Sequence, residues 1–262
     1  MASLISVDSE KCISCGECCR TCASQLIELK DGIPYTEAEF CMACGECVSV
    51  CPTGALDNVL SPLNLTEEIE EKPVKSQLYS YLRSRRSVRC YKDLQPNDSD
   101  IDELLTYACT AQTAVNARLV SFIVINDKDK VKKIADLTAE FIKNSDDEIK
   151  RMYEKIMSLY EGGYDSITRG APGLIFTVSD RNYPKARETS VIYITHAEIY
   201  APSLGLATCW AGIVERALEY APIREMLGVK DNEVVTGALM VGIPDIEFKR
   251  IPHRKKADVT FL

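Results

Sequence analysis

The sequence has few of the side chains on which acid–base enzymes rely, with two histidines and one tryptophan among 262 residues. It contains no run of 18 apolar residues, so we expect no transmembrane helix. The start, MASLISVDSEKC, lacks the charged and apolar regions of a signal peptide. We therefore expect a reducing cytoplasmic location, where clustered cysteines bind metal more often than they form disulfides.

Common catalytic motifs are also missing. No G-x-G-x-x-G follows a predicted strand, and neither a P-loop nor a G-x-S-x-G is present. The absence of these motifs argues against the usual dinucleotide-binding, P-loop and α/β-hydrolase sites. It suits a protein whose chemistry belongs to a bound cofactor.

The negative charge is concentrated at the beginning of the chain. The net charge is −8, and residues 1–60 contribute −6 because they hold three Lys or Arg against nine Asp or Glu. Nucleic-acid-binding domains carry basic surfaces, so we expect no nucleic-acid partner.

Nine of the 12 cysteines lie within residues 12–51 and form an internal repeat. The stretches CISCGECCRTC and CMACGECVSVC match at an offset of 29 residues, and each reads C-x-x-C-G-E-C-x-x-x-C. Cys19 falls outside the repeat because Val48 occupies the matching position, so we interpret Cys19 as a packing residue or a free thiol. The candidate ligands are Cys12, Cys15, Cys18, Cys22, Cys41, Cys44, Cys47 and Cys51.

This spacing is typical of two 4Fe–4S clusters. Three closely spaced cysteines ligate one cluster, and the fourth cysteine of the run ligates the other. Zinc or disulfides are the alternatives, but structural zinc usually takes two separated pairs. Gly16 and Gly45 allow the backbone to pass close to the inorganic sulfides. The predicted sets are Cys12, Cys15, Cys18 and Cys51 for the first cluster, and Cys22, Cys41, Cys44 and Cys47 for the second.

Residues 3–57 resemble a bacterial two-cluster ferredoxin domain. The resemblance rests on the cysteine runs, the CPTGAL tail and LIELKDGIPYTE, a predicted hairpin turning at Asp31–Gly32. Ala23 stands where the second copy has Pro52. We predict a cluster domain over 1–60 and a linker over 61–76, a polar segment with two prolines.

Residues 77–262 are predicted to form an α+β domain. A capping box at Ser99 and Asp102 indicates the start of one helix, and His196 lies mid-helix, where we expect a structural role. The predicted helices cover 77–86, 96–114, 128–160 (one or two helices), 185–206 and 215–228. The predicted strands cover 119–126, 173–179, 207–214 and 233–242.

Three local patterns in this domain have both a binding and a structural interpretation. SRRSVRCY offers Arg85 and Arg89 to an anion, or it is a solvated helix end. Asn116 offers an amide that can recognise a flat heterocycle, or it caps a helix. LGLATCWAGIV either lines a site or is a buried strand.

The ordered motifs RRSVRCY, TAVNARLVSFIVIN, LGLATCWAGI and VGIPD with IPHRKK resemble the nitroreductase family of FMN flavoproteins, and the whole chain resembles its ferredoxin-fused branch. The resemblance implies an α+β sandwich with a mixed sheet flanked by helices, and an intertwined homodimer with FMN at its interface. The implied FMN-binding residues are Arg85, Arg86, Ser87, Arg89, Asn116, Trp210, Ala211, Gly212, Ile213, Arg254 and Lys255. If the alignment of the last motif shifts, Lys256 or His253 substitutes for Arg254 or Lys255.

Two departures from the family pattern affect the expected pocket. The Asn-x-Gln-Pro-Trp segment reads Asn116–Val120 here, which leaves Arg118 as a flavin or substrate contact or as an ion-paired surface residue. Ala207 replaces a glycine before TCW, and Cys209 belongs to the family pattern rather than being a nucleophile.

The sequence thus predicts an oxidoreductase in which electrons enter two 4Fe–4S clusters, pass to FMN and reduce a small acceptor such as a nitroaromatic or a quinone. The expected donor is a reduced ferredoxin or flavodoxin, or NAD(P)H. The alternatives within the superfamily are enone reduction, reductive dehalogenation and flavin-destroying chemistry. A non-catalytic electron-transfer or redox-sensing module is the alternative outside enzymes.

Overall fold

The described chain divides into two units in the computed structural model, which describes residues 3–69 and 71–262. The first unit holds the described residues of Met1–Lys72 together with Val115–Ala117, and the second holds Pro73–Ala114 and Arg118–Leu262. The division falls inside the predicted linker. Met1 and Ala2 of the predicted cluster domain and Glu70 of the linker lie outside the described residues.

The first unit consists of short elements around a small apolar core. Strand β1 pairs with β4, and β2 pairs with β3, both antiparallel. The predicted hairpin turn is confirmed, since Asp31 and Gly32 both have positive φ, 52° and 82°, as its two-residue loop requires. The elements are β1 (Ile5–Val7), α1 (Glu17–Thr21), β2 (Glu28–Lys30), β3 (Ile33–Tyr35), α2 (Glu46–Ser49) and β4 (Leu56–Asn58).

The second unit has six helices and four strands. The helices are α3 (Lys75–Ser84), α4 (Asp98–Ala108), α5 (Lys128–Asn144), α6 (Asp147–Glu161), α7 (Ala186–Tyr200) and α8 (Ala221–Leu227). The strands are β5 (Val120–Ile125), β6 (Gly173–Asp180), β7 (Ala207–Trp210) and β8 (Glu233–Gly242). This is the predicted α+β class.

The four strands form a sheet in the order β5-β6-β8-β7, and every neighbouring pair is antiparallel. The expectation of a mixed sheet was wrong in this respect. The connection from β5 to β6 contains two helices, α5 and α6. The chain therefore enters β6 at the same end of the sheet at which it left β5, and the two strands are antiparallel. One helix, α7, connects β6 to β7, which run the same way but are separated by β8.

Helices cover both faces of this sheet. Side chains of one strand alternate between the faces: in β6, Phe176 packs with residues of α5, α6 and α8, whereas Ile175 packs with residues of α4 and α7. In β8, Met240 lies on the same face as Phe176, and Leu239 lies on the same face as Ile175. The central strands are therefore buried on both sides, which explains their continuous apolar sequences.

Most element boundaries differ from the sequence predictions by a few residues, and three of the differences have a clear location in the sequence. Helix α4 begins after Asn97, the residue at its N-cap, and not at the predicted Ser99 capping box. Strand β7 ends at Trp210. The predicted helix over 215–228 is a 3₁₀ turn followed by α8, because Pro222 lacks the N–H that a continuous helix needs and instead occupies the first turn of α8.

None of the helices in residues 3–69 and 71–262 combines the length and apolar character needed to cross a lipid bilayer.

Candidate functional site

The eight predicted ligand cysteines line two cavities in the first unit. One is lined by Cys12, Cys15, Cys18 and Cys51. The other is lined by Cys22, Cys41, Cys44 and Cys47. Each cavity thus combines three cysteines from one copy of the repeat with the last cysteine of the other copy, the same division that the spacing predicts.

The repeat is also visible in the backbone of the two cysteine loops. Ser14 and Ala43, which match at the 29-residue offset, both have left-handed φ, 56° and 52°. Gly16 and Gly45 match in the same way, at 74° and 72°, and each immediately precedes a short helix. These turns wrap each C-x-x-C-G segment around one side of its cavity.

Backbone N–H groups point at sulfur in both copies. The N–H of Leu26 donates to Cys22 Sγ at 3.4 Å, and that of Ala55 donates to Cys51 Sγ at 3.2 Å. These two pairs are again 29 residues apart. Such N–H bonds stabilise negative charge on a ligand sulfur and help to set the reduction potential of an iron–sulfur cluster.

Asn58 adds a side-chain donor to the second cavity. Asn58 is 2% exposed, and its Nδ2 lies 3.9 Å from Cys47 Sγ and 4.0 Å from Cys41 Sγ. Its Oδ1 accepts the N–H of Leu60 at 2.9 Å. The amide is therefore held with its nitrogen towards the thiols.

The thiols differ in how readily they ionise. Burial raises the pKa of Cys18 to about 12 and also raises the pKa of Cys47. Burial acts in the same direction on Cys51, but N–H bonds from Thr53 and Ala55 outweigh it and hold the pKa of Cys51 below its ordinary value. The buried thiols need a bound metal to displace their protons.

The two cavities fit the donor set of iron–sulfur clusters. Each offers four sulfurs, apolar neighbours such as Leu56 or Ile27, and N–H groups directed at sulfur. All 12 cysteines are free of disulfides. Within the described residues, no three Cys, His, Asp or Glu side chains converge as a cage for a single metal ion.

In the second unit, the segment after α3 brings two arginines, Arg85 and Arg86, to a cavity of about 260 Å³. Arg85 Nη1 forms an ion pair with Glu198 Oε1 at 3.2 Å, and the Glu198 side chain is 12% exposed. Burial raises the pKa of Glu198, and the positive charge of Arg85 opposes this rise. Glu198 therefore partly neutralises the positive charge that Arg85 brings to this cavity.

Arg86 lies at the same cavity and carries an unsatisfied donor. Its Nη1 donates to the carbonyls of Arg83 and Arg85 at 2.7 and 2.6 Å. Its Nη2 is buried and has no hydrogen-bond partner among the described residues. A buried unpaired donor is costly, and an anionic ligand is the natural group to satisfy it.

Strand β7 fixes the neighbouring part of this segment. The N–H of Val88 donates to the carbonyl of Thr208 at 3.0 Å, which places Ser87 and Arg89 beside the strand. Arg89 is exposed, and its Nη1 donates to the carbonyl of Ser87 at 3.3 Å.

The segment Trp210–Ile213 begins at the last residue of β7, and a cation lies over the ring of Trp210. The guanidinium of Arg187 lies 5.3 Å from the centre of the Trp210 ring and forms an ion pair with Glu215 at 3.1 Å. Arg187 also donates to the carbonyl of Thr236. The carboxylate of Glu215 in turn accepts a hydrogen bond from the N–H of Ala238 at 3.2 Å. Thr236 and Ala238 both belong to β8, so contacts with this strand fix the guanidinium of Arg187 over the ring of Trp210.

Comparison with known proteins agrees with this division of the chain. The family model described as "Nitroreductase family" matches residues 82–243. The chain belongs to the nitroreductase family. A second model, "4Fe-4S dicluster domain", matches residues 11–55 and covers both cysteine runs.

Two archaeal relatives of this chain are provisionally named NADH dehydrogenase/NAD(P)H nitroreductase. The protein of Archaeoglobus fulgidus is 26% identical over 166 residues, which cover 63% of this chain and 83% of the relative. The protein of Methanothermobacter thermautotrophicus is 22% identical over 186 residues, which cover 70% of this chain and 85% of the relative.

Solved structures show the same fold. A nitroreductase of Bacteroides fragilis with bound FMN aligns with a TM-score of 0.59 at 21% identity, covering 71% of this chain and 98% of that chain. A nitroreductase of Desulfitobacterium hafniense with bound FMN aligns with a TM-score of 0.60 at 20% identity, covering 72% of this chain and 100% of that chain.

The residues implied for FMN in this nitroreductase-family chain are distributed over several parts of the structure. Arg254 and Lys255 lie in an exposed segment without helix or strand after β8. Asn116 belongs to the first unit, and its amide nitrogen donates to the carbonyls of Met42 and Ala43. Arg118 is exposed and has a left-handed φ of 50°. The roles assigned to these residues stay predictions.

His196, for which we expect a structural role, and Cys209, which we do not expect to be a nucleophile, both have structural surroundings. His196 Nδ1 hydrogen-bonds with the carbonyl of Ile192, one turn earlier in α7, at 3.0 Å. Cys209 is buried in β7, and burial raises its pKa, which keeps a thiol protonated and unreactive.

Sequence reasoning missed Asn58, Arg187 and Glu198. Asn58 follows the second repeat copy, and the matching position in the first copy is Leu29, so the repeat carries no signal for it. Arg187 and Glu198 lie at the two ends of α7, and only the fold brings them to Trp210 and Arg85. A carboxylate in the mostly apolar second half of α7 was the one available signal for Glu198.

Proposed function

We propose that this nitroreductase-family protein is an FMN-dependent oxidoreductase that takes up electrons through two 4Fe–4S clusters and reduces a small organic acceptor. The observation that carries the proposal is the pair of four-cysteine cavities in a chain that also contains a nitroreductase domain. Clusters of this kind transfer single electrons, and a flavin joins single-electron donors to two-electron acceptors.

In the first unit, the proposed ligands are the two sets of cysteines already described. The support is their division between two cavities and the N–H groups directed at Cys22 and Cys51. Apolar walls limit access of water to the thiolates. Asn58 adds positive potential to the second cavity only, so we expect unequal potentials for the two clusters.

In the second unit, Arg85, Arg86 and Arg89 are the proposed holders of the flavin phosphate. The support is the cavity that Arg85 and Arg86 line and the unsatisfied buried Nη2 of Arg86. FMN, when bound, supplies the electron chemistry that the side chains lack. Ser87 and the Trp210–Ile213 loop are proposed to orient the ribityl chain and the ring.

The donor and the acceptor are proposed by class. A reduced ferredoxin or flavodoxin suits the cluster domain, and the names of the archaeal relatives support NAD(P)H as the alternative. Nitroaromatics and quinones are the first acceptors to test. Enones and aryl halides test the alternative reactions, and failure with every acceptor would favour an electron-transfer or redox-sensing module.

We further propose that the protein works as a homodimer. All of α3 is exposed in the single chain, including the apolar Leu78, Tyr79 and Leu82. The segment after β8 also exposes Phe248 and Phe261. A second copy of the chain would cover these apolar side chains, and light scattering on the holoprotein should give twice the monomer mass; a monomeric mass would contradict the dimer.

The function is tested on anaerobically prepared protein. We expect about eight iron atoms per chain, two cubanes by the ligand count, and one FMN. Reduced ferredoxin and NAD(P)H are then offered separately with each acceptor class. Protein that binds zinc but neither iron nor flavin would refute the proposal.

A matched pair of variants tests the role of the clusters. Cys15→Ser removes a proposed ligand of the first cluster, whereas Cys19→Ser changes a neighbouring thiol outside the repeat. We expect Cys15→Ser to lower the iron content and to abolish turnover with reduced ferredoxin, and Cys19→Ser to retain both. Equal turnover in the two variants would show that electrons do not enter through the clusters.

A further inference from the structure

Asn116 makes contacts that neither the cysteine repeat nor the flavin site accounts for. Its side-chain amide nitrogen donates to the carbonyl of Met42 at 3.0 Å and to that of Ala43 at 2.9 Å. An asparagine amide nitrogen carries two hydrogens, so one hydrogen is available for each carbonyl. Both acceptors lie more than 70 residues earlier in the chain, inside the first unit to which Val115–Ala117 also belongs.

The two carbonyls belong to the CMAC loop, which carries the proposed ligands Cys41 and Cys44. The peptide bond is planar and trans, so its C=O and N–H point in opposite directions. Holding the Met42 carbonyl outward therefore directs the N–H of Ala43 inward. That N–H donates to Cys41 Sγ at 3.4 Å. The same reasoning applies to the Ala43 carbonyl and the N–H of Cys44.

The backbone around Asn116 is strained in a way that this contact explains. Val115 and Asn116 have left-handed φ values of 48° and 53°. Asparagine tolerates this region, but a β-branched residue there is an outlier. The Val115 side chain is 71% exposed, so packing does not compensate for its conformation. Such strain persists where surrounding interactions fix the backbone, and the two Asn116 hydrogen bonds are interactions of that kind.

The CMAC loop itself needs such support. Ala43 is a non-glycine residue with a left-handed φ of 52°, and its two flanking peptides are the ones whose carbonyls Asn116 holds. An unsupported loop can rotate these peptides and turn their N–H groups away from the sulfurs. Asn116 therefore restrains both of the peptides that flank this left-handed residue.

We propose that Asn116 is a positioning residue for the second 4Fe–4S cluster: it holds the Met42 and Ala43 carbonyls, aligns the Ala43 N–H with Cys41 Sγ and raises the reduction potential of that cluster. The inference rests on the proposed function, because it requires a cluster in the second cavity. N–H bonds to sulfur stabilise the more negative reduced state, so their loss makes reduction less favourable.

The test is a potentiometric titration of the anaerobic holoprotein followed by EPR, which reads the clusters without turnover. The variants are Asn116→Ala and Asn116→Asp, the second of which removes both donor hydrogens with little change in volume. Asn144→Asp is the matched control, since it makes the same substitution at the exposed end of α5. Asn58→Leu identifies the wave of the second cluster, because Asn58 lines only that cavity.

We expect both Asn116 variants to lower the reduction equilibrium constant of the second cluster roughly three- to tenfold, about 30 to 60 mV for a one-electron couple. The first cluster, the flavin and the Asn144→Asp protein should keep their potentials. Selective loss of the second cluster, from about eight to about four iron atoms per chain, would also support the inference.

Three results would overturn it. Unchanged cluster potentials would show that the Asn116 bonds do not position the loop. A shift of the flavin potential alone would assign Asn116 to the flavin. Loss of both clusters together would show that Asn116 stabilises the first unit as a whole and has no specific role at the second cluster. Wild-type protein without two clusters would instead refute the proposed function. Failure of the Asn116 inference is therefore distinguishable from failure of the proposed function.

Discussion

The ion pair between Arg85 and Glu198 allows the stability of the second unit and its proposed flavin affinity to be changed separately. Arg85→Ala leaves Glu198, whose side chain is 12% exposed, without its partner at 3.2 Å. Removing one member of a buried pair typically costs about 3–5 kcal/mol. Because the Arg85 side chain is 33% exposed, we expect a smaller loss of unfolding free energy, roughly 1–3 kcal/mol.

The loss should depend on pH with a defined sign. Burial raises the pKa of Glu198 above its ordinary 4.5, and Arg85 opposes the rise. A raised carboxyl pKa means that the native state holds the proton more tightly, so stability falls as pH rises from about 4.5 through the native pKa. Without Arg85 that native pKa rises further, so the deficit of Arg85→Ala should be small near pH 5 and larger near pH 8.

The double variant Arg85→Ala/Glu198→Gln separates the two effects. It removes the unpaired carboxylate and should recover most of the stability at about pH 8, but it lacks the guanidinium proposed to hold the phosphate. A lost charge-assisted hydrogen bond of about 1.5–3 kcal/mol corresponds to roughly ten- to hundredfold weaker FMN binding in both variants.

Denaturant unfolding followed by the fluorescence of Trp210, the one tryptophan of the chain, measures the stability of this unit. Flavin retention after dialysis measures the affinity. If the double variant recovered flavin affinity together with stability, Arg85 would be a structural residue and not a phosphate ligand. An equal deficit of Arg85→Ala at both pH values would refute the electrostatic reasoning.

Three other substitutions test separate parts of the structure. Asn58→Leu should lower the potential of the second cluster and remove the hydrogen bond that the Leu60 N–H donates. Because Leu60 is half exposed and water can replace the acceptor, the loss should cost roughly 0.5–1.5 kcal/mol of unfolding free energy; redox titration and denaturation check the two effects, and an unchanged potential would exclude Asn58 as a donor. Gly45→Ala should reduce the iron content towards half, because Gly45 has a φ of 72° and a Cβ there would overlap Ser61 Oγ; full iron content would contradict this. Arg187→Ala should change the emission of Trp210 and remove a cation–π contact of about 0.5–1 kcal/mol, whereas identical spectra would show that the guanidinium does not rest on the ring.

The parts of the site that local sequence determines were predictable. The 29-residue offset places four cysteines at each cavity because every ligand loop is a few residues long and both copies fold in the same way. The Asp31–Gly32 turn and the two-face burial of β6 also follow from local sequence. These features depend on spacing, turn chemistry and apolar pattern, which act over short distances.

The parts that depend on long-range packing were not predictable. Asn116 lies outside the cysteine repeat, so the repeat does not point to it. Its acceptors are the backbone carbonyls of Met42 and Ala43, and every residue has such a carbonyl, so the sequence does not indicate the contact. Arg187 reaches Trp210 only through the placement of α7 against β8. The antiparallel pairing of β5 with β6 is an exception, because it follows from the local break between α5 and α6 at Ser145 and the Asp146 N-cap.

The exchange of the fourth ligand makes the two halves of the first unit interdependent. In the proposed ligand set, Cys22 serves the second cluster and Cys51 serves the first, so neither half can complete a cluster from its own residues. A cut in the hairpin between the copies would therefore not release a one-cluster fragment, since each piece would hold only three ligands of one cluster and a single ligand of the other. Both copies of the repeat must therefore be present in one folded unit for either cluster to have all four ligands.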